Sequence, residues 1–193
     1  MAYDFDGVDD DITFGTDASI GGFTTMTFIA WCARDASGDI NFVGGKDRYG
    51  VVLGLGWQST TDNLLTFEHG WSGDNGSWRT TGALTGLNQV GATYDGGATT
   101  NDPVIYANGA SVAFTELVAP TLVFDDDSAQ NLRIGETGAA GQQFDGVIGH
   151  VCWDNTIWTA ADVNRHRWWG VGVGGLQCMN IIDFMCISAG QEG

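Results

Sequence analysis

The chain has 193 residues, 30 of them Gly and 2 Pro, with 43% hydrophobic residues and 8 Trp; it is too apolar for a disordered chain and long enough for one domain with a substantial core. Acidic residues outnumber basic ones 24 to 7, for a formal charge of −17, and Lys46 is the sole lysine. Such a surface repels a polyanion, which argues against nucleic acid as a partner, whereas it serves solubility and suits cations, cationic partners or a salty medium.

In chain order, Tyr3 and Phe5, then Val8, Ile12 and Phe14 beyond a turn at Asp6-Gly7, predict an opening strand or hairpin. Residues 23–33 predict a strand buried on both faces, with Phe23, Thr25, Thr27, Ile29 and Trp31 on one side and Met26, Phe28, Ala30 and Cys32 on the other. Strands over 41–45 and 50–57 flank the polar turn Lys46-Asp47-Arg48. Residues 64–71 alternate, placing Leu65, Phe67, His69 and Trp71 on one parity; a turn at 72–76 and a strand over 77–81 follow. Further strands are predicted over 89–94, 103–107 and 111–114, with Asn108-Gly109 as a tight hairpin turn. The last two cover 131–135 and 144–153.

Thr159-Ala-Ala-Asp162 has the form of a capping box and opens a short helix to about Trp169. A Gly-rich joint over 170–175 leads into an apolar tail that includes Leu176, Met179, Ile181, Ile182, Phe184 and Met185. That tail either packs on its own sandwich or meets another chain. The domain therefore divides into a sandwich over 1–169 and a joint and tail over 170–193. The chain opens with neither a basic n-region nor an apolar h-region, so no signal peptide is expected, and no apolar run is long enough to span a membrane. The cysteines at 32, 152, 178 and 186 form no CxxC pair, which speaks against zinc; Cys32 and Cys152 read as small core residues.

Set in order, these segments resemble a family. Residues 3–10 (YDFDGVDD) resemble the opening strand of laminin-G-like, concanavalin-type jelly rolls, and residues 23–31 (FTTMTFIAW) resemble their second strand. Residues 90–96 (VGATYDG) with 105–109 (IYANG) resemble a paired-strand block of that family. Residues 132–135 (LRIG), 144–149 (FDGVIG) and Trp153, with the helix from Thr159, resemble its closing block. The order holds over residues 2–169. At Leu87-Asn88-Gln89 the chain departs from the Trp-His-His often found there, and the tail has no family counterpart. The resemblance implies an all-β fold of two packed antiparallel sheets. It also implies frequent calcium binding and recognition of sugars, proteins or matrix. Similar modules are appended to phage tail and capsid proteins.

Enzymes share this sandwich, so catalysis needs its own test. A retaining glycosidase needs two carboxylates about 5 Å apart, which on a strand reads Glu-x-Asp-x-x-Glu. The four glutamates, Glu68, Glu116, Glu136 and Glu192, make no such pattern. Residues 72–78 resemble a sialidase Asp-box one residue short and occur once, and no nucleophile elbow, P-loop or His-x-x-x-His motif is present. His69, His150 and His166 are scattered. A non-enzymatic protein is expected.

For binding, Trp57, His69, Trp71, Trp78 and Arg79 cluster around one predicted hairpin, as aromatic faces stacking on a sugar or as filling between the sheets. Asp6 with Asp145 is a candidate calcium pair if the first and last strands meet, and the triplet Asp125-Asp126-Asp127 is a second candidate. Two roles follow as expectations. One is a structural or decoration protein of a phage particle, made in host cytoplasm and joined through its tail to copies of itself or other virion proteins, with surface glycans as a further ligand. The other is an extracellular carbohydrate-binding or adhesion module.

Overall fold

The computed structural model describes residues 2–35, 40–46, 53–58, 62–138 and 142–169. The strands are β1 (Tyr3–Asp6), β2 (Ile12–Gly15), β3 (Thr25–Arg34), β4 (Asn41–Lys46), β5 (Leu53–Trp57), β6 (Thr66–His69) and β7 (Gly76–Thr80). They continue as β8 (Asn88–Asp95), β9 (Val104–Ala107), β10 (Ala110–Ser111), β11 (Phe114–Val118), β12 (Leu132–Ile134) and β13 (Asp145–Asp154), and one helix, α1 (Ala160–Trp169), follows. Among the described residues the strands form two antiparallel sheets, six-stranded in the order β1-β13-β3-β8-β9-β10 and seven-stranded in the order β11-β7-β6-β5-β4-β12-β2. This is a jelly-roll sandwich.

The opening segment is not a hairpin. β1 pairs with β13 and β2 with β12, so the turn after Asp6 carries the chain from one sheet to the other. The segment expected as one strand over 111–114 also divides. β10 closes the hairpin with β9, and two residues later β11 pairs with β7 in the opposite sheet. The hairpin itself follows its sequence signal. Asn108 and Gly109 hold φ of 52° and 81°, the paired left-handed conformation that Asn-Gly tolerates and that matches strand twist.

Packing follows alternation. Met26, Phe28, Ala30 and Cys32 of β3 face the other sheet, and on that inner face Phe28 meets its cross-strand partner Trp153 of β13 at 5.2 Å between centroids. Phe67 stacks on Trp78 at 6.0 Å and meets Tyr94 edge-on at 5.6 Å, joining the sheets through aromatic contacts. Burial in this apolar interior pushes the Cys32 thiol pKa up.

One inward row crosses the larger sheet through Leu132, Lys46, Leu53 and His69 in register. It puts a lysine in the core. Lys46 is fully buried, its Nζ 3.4 Å from Asp127 Oδ2 and 5.9 Å from the Trp153 ring centroid. The backbone N–H of Gly22 donates to Asp127 Oδ1 at 2.5 Å. Burial lowers the Lys46 pKa and the Asp127 charge opposes that shift. Asp127 thus serves the interior, and the triplet 125–127 is not a solvent-facing calcium loop: its third carboxylate is committed to Lys46.

The outer side of β3 is covered as well. Ile29, Tyr106, Cys152 and Val163 form a second buried cluster with Trp158 against it. The Trp158 N–H donates to Thr27 Oγ1 at 3.0 Å and Thr27 Oγ1 donates to the Thr156 carbonyl at 2.6 Å, binding the segment before α1 to β3. The capping box forms: Thr159 N–H and Oγ1 donate to Asp162 Oδ2 at 3.0 and 2.6 Å, and Asp162 N–H returns to Thr159 Oγ1 at 3.3 Å. Two of the three histidines are not scattered. His150 stacks on His166 at 4.3 Å beneath Trp158. Burial, with His150 acting in the same direction, lowers the His166 pKa to about 3.

Candidate ligand cleft and acidic turn

A strand shows alternate residues to opposite faces, and this decides where the proposed sugar-stacking set lies. Phe67 faces Trp78 across the β6–β7 ladder, so their parity is the core parity. Trp57, His69, Trp71 and Trp78 are 2%, 0%, 4% and 0% exposed and fill the space between the sheets. Of these, Trp57 also borders the cleft described below, whereas His69, Trp71 and Trp78 pack as core. His69 stacks on Phe124 at 4.0 Å, and burial lowers its pKa to about 4. Trp78 and Arg79 are chain neighbours and therefore point to opposite sides. Arg79 alone of the five reaches the outer face, where Nε donates to Thr66 Oγ1 at 3.3 Å and NH1 lies 3.8 Å from Asp62. Glu68 and Ser77 share that outer face, Ser77 Oγ donating to Glu68 Oε1 at 3.0 Å. Burial raises the Glu68 pKa.

An open cleft lies at one end of the sandwich, between the sheets. It measures about 180 Å³ and is lined by Arg34, Asp35, Trp57, Asn63, Leu84, Thr85 and Gly86. Arg34 is the last residue of β3 and Trp57 the last of β5, so each sheet supplies one wall. Trp57 Nε1 donates to the Asn63 carbonyl at 3.2 Å, and the same carbonyl accepts from Leu84 N–H at 2.7 Å, fixing two loops to one point. The Arg34 guanidinium sits 5.9 Å from the Trp57 ring centroid. Asp35 N–H donates to the Asp145 carbonyl at 3.0 Å. Asn88 Nδ2 donates to the carbonyls of Thr85 and Gly86, both at 3.0 Å, holding the far wall.

The lining offers a guanidinium donor, a carboxylate acceptor, and an amide and a hydroxyl that do both. That mixture suits a small, hydroxyl-rich ligand. The volume is below the roughly 300–1,000 Å³ of sites for drug-sized molecules and fits one ring. Among the described lining residues Asp35 is the sole carboxylate, where glycoside hydrolysis uses a pair. Sequence reasoning missed Arg34, Asp35, Asn63 and Thr85. Their only signal was placement at strand ends and polar turns.

An acidic turn lies at the same end. β1 and β13 pair as expected, and their register sets Asp6 directly opposite Asp145. The clustered carboxylates, however, are Asp6, Asp9 and Asp10, exposed and with oxygens within 4.8 Å of one another. Asp6 N–H donates to Asp10 Oδ2 at 3.1 Å and Val8 N–H to Asp6 Oδ1 at 2.9 Å. Asp145 packs under the turn: a side chain at Gly7, where φ is +73°, would come within 2.9 Å of its Cβ. This all-oxygen donor set has the chemistry of a hard divalent cation such as calcium. The tail residues Leu176, Met179, Ile181, Ile182, Phe184 and Met185 lie outside the described residues. Among the described residues no helix is long and apolar enough to cross a membrane.

No protein-family model matches the chain, and no curated protein matches its sequence. Solved structures do resemble it. A native heptameric SAP-like pentraxin from Limulus polyphemus superposes with a TM-score of 0.62 at 12% identity, over 84% of this chain and 79% of that one. A Bacteroides ovatus protein assigned to carbohydrate binding gives 0.63 at 22% identity over 85% of this chain and 46% of its own, so this chain spans under half of it. The CBM40 of a Ruminococcus gnavus IT-sialidase, solved with α2,3-sialyllactose, gives 0.57 at 14% identity over 86% and 98%. At such identities the likeness is one of fold, the two-sheet jelly roll of pentraxins and carbohydrate-binding modules.

Proposed function

We propose that the protein is a non-enzymatic glycan-binding module whose cleft, formed by Arg34, Asp35, Asn63 and Thr85 against Trp57, holds one sugar ring. The observation that carries this reading is the convergence of complementary polar groups on a single-ring cleft with one carboxylate among its described lining residues. The sandwich it shares with carbohydrate-binding modules is consistent with it. Calcium enters the same reading at the turn of Asp6, Asp9 and Asp10. There it would hold the β1 end of the sandwich rather than touch the sugar, and glycan binding would tighten on adding calcium.

The test is a glycan array followed by titration of the best ligand. Binding is expected to be saturable, to fall strongly in Arg34→Ala, and to vanish in Thr85→Trp, which fills the mouth. No oligosaccharide is expected to be cleaved. Binding that survives Thr85→Trp in a folded protein, or the release of cleaved sugar, would overturn the reading.

A second role, as a decoration or structural protein of a phage virion, is favoured by one observation: Leu117, Val118, Leu122 and Val123 are exposed apolar residues within seven positions. In that role the tail from Leu176 onward would join copies or other virion proteins. Native mass measurement of the full chain tests it: a repeating assembly supports it, and a monomer at particle-forming concentration removes it.

A further inference from the structure

At its start β6 lies beside the cleft loops, and at its end it reaches a different surface. There the segment after β11 is stitched to the turn before β7. Thr121 N–H donates to the Asp74 carbonyl at 3.1 Å, Asp74 N–H to Thr121 Oγ1 at 2.7 Å, and Gly73 N–H to the Thr121 carbonyl at 3.3 Å. On the other side of Leu122, Ser72 N–H donates to the Val123 carbonyl at 2.8 Å and Val123 N–H to Ser72 Oγ at 3.2 Å. Between these clamps Leu122 is held at φ 69°. A leucine there is strained, because its Cβ crowds the backbone. The strain gains no burial, since Leu122 is 72% and Val123 68% exposed. Strain kept in place by its surroundings marks a site with a use.

β11 lies beside this point. Among the described residues it ends the seven-stranded sheet with β7 as its sole neighbour, and Leu117 and Val118 on it are exposed. An open edge with apolar side chains is a template for a further strand. The charges around it select among occupants. Glu116 lies on the strand and Asp74 beside Leu122, both exposed. The base on the neighbouring strand is Arg79, opposite Thr115, and it is engaged by Asp62. A second copy would bring another net charge of −17, and the chain's own segment 176–187 carries Asp183 and no base. Neither complements an acidic rim.

We infer that the free edge of β11, with Leu117, Val118, Leu122 and Val123, docks an extended segment of a partner protein in which apolar residues alternate with Lys or Arg. The surface is separate from the Arg34 cleft, and its occupancy does not depend on a bound sugar.

The experiment uses the full chain and three eight-residue peptides that alternate Val with Lys, Val with Glu, and Ser with Lys. Titration and amide hydrogen exchange are read together. The Val/Lys peptide is expected to bind saturably, to protect the amides of Thr115 to Val118, and to weaken with salt. Leu122→Asn is the key variant, because Asn accepts the left-handed conformation and keeps the fold. It should weaken Val/Lys binding by about tenfold or more. Equal binding of the Ser/Lys peptide would show bare charge attraction and overturn the inference, as would equal binding of the Val/Glu peptide. Absence of protection at β11 overturns it too. So does protection of β11 without peptide that is lost on removing residues 170–193, or a dimer abolished by Leu122→Asn, because each identifies another occupant.

Discussion

Two regions of this molecule bury titratable groups, and they do so by opposite means. Between the sheets, Lys46 and Asp127 are 0% and 1% exposed and meet at 3.4 Å. Under α1, His150 and His166 stack at 4.3 Å, and burial favours their neutral forms. The interior keeps charges by pairing them and adding the Gly22 N–H to the carboxylate. The outer layer keeps its imidazoles by excluding protons. A paired charge fails when its partner is removed, and a neutral stack fails when the medium turns acid.

The largest effect is therefore expected from Asp127→Ala, which leaves the Lys46 ammonium buried alone. Urea denaturation should show a loss of about 3–5 kcal/mol, and the double replacement Lys46→Met with Asp127→Leu should recover most of it. If the single variant unfolds at the wild-type urea concentration, the pair is not holding β4 to the 125–128 loop.

Acid acts on the other region. In the unfolded chain an imidazole takes up its proton near pH 6.5, but folded His166 resists protonation until about 3. Between these values the unfolded state holds more protons, so stability is full above about 6.5 and falls as pH drops toward 3. His69 acts in the same direction from the interior, with a folded pKa of about 4. His166→Phe should flatten the acid limb of a melting-temperature profile without abolishing it, since His69 remains. A limb unchanged by this variant would assign acid lability to the interior alone.

Smaller still is the helix cap. Thr159→Ala removes a hydroxyl that serves both sides of the capping box and should cost about 1 kcal/mol, with amide exchange rising first in the opening turn of α1. The last prediction has the opposite sign. Leu122→Asn relieves left-handed strain at an exposed site and should raise stability by about 0.5–1 kcal/mol, measured by the same urea series. A loss of stability there would mean that Leu122 packs in a way its exposure conceals.

What the sequence determined by itself was local. Alternation marked the strands of both sheets, Asn108-Gly109 marked its hairpin, and Thr159 with Asp162 marked the start of α1. Each depends on backbone conformation and hydrogen bonds within a few residues, so each can be read along the chain. Alternation also held more than was first taken from it: Trp78 and Arg79, being adjacent, could not share a face, and the parity of Phe67 and His69 was that of the core.

Tertiary structure alone decided the rest. The partner of Lys46 lies 81 residues away in the chain. The β1–β13 register that sets Asp6 opposite Asp145 joins two residues 139 positions apart in the chain. The cleft gathers Arg34, Trp57, Asn63 and Thr85 from four segments and both sheets. No local pattern encodes such meetings. They follow from the way two sheets, each apolar on its inner face, must stack and cross over to bury those faces together.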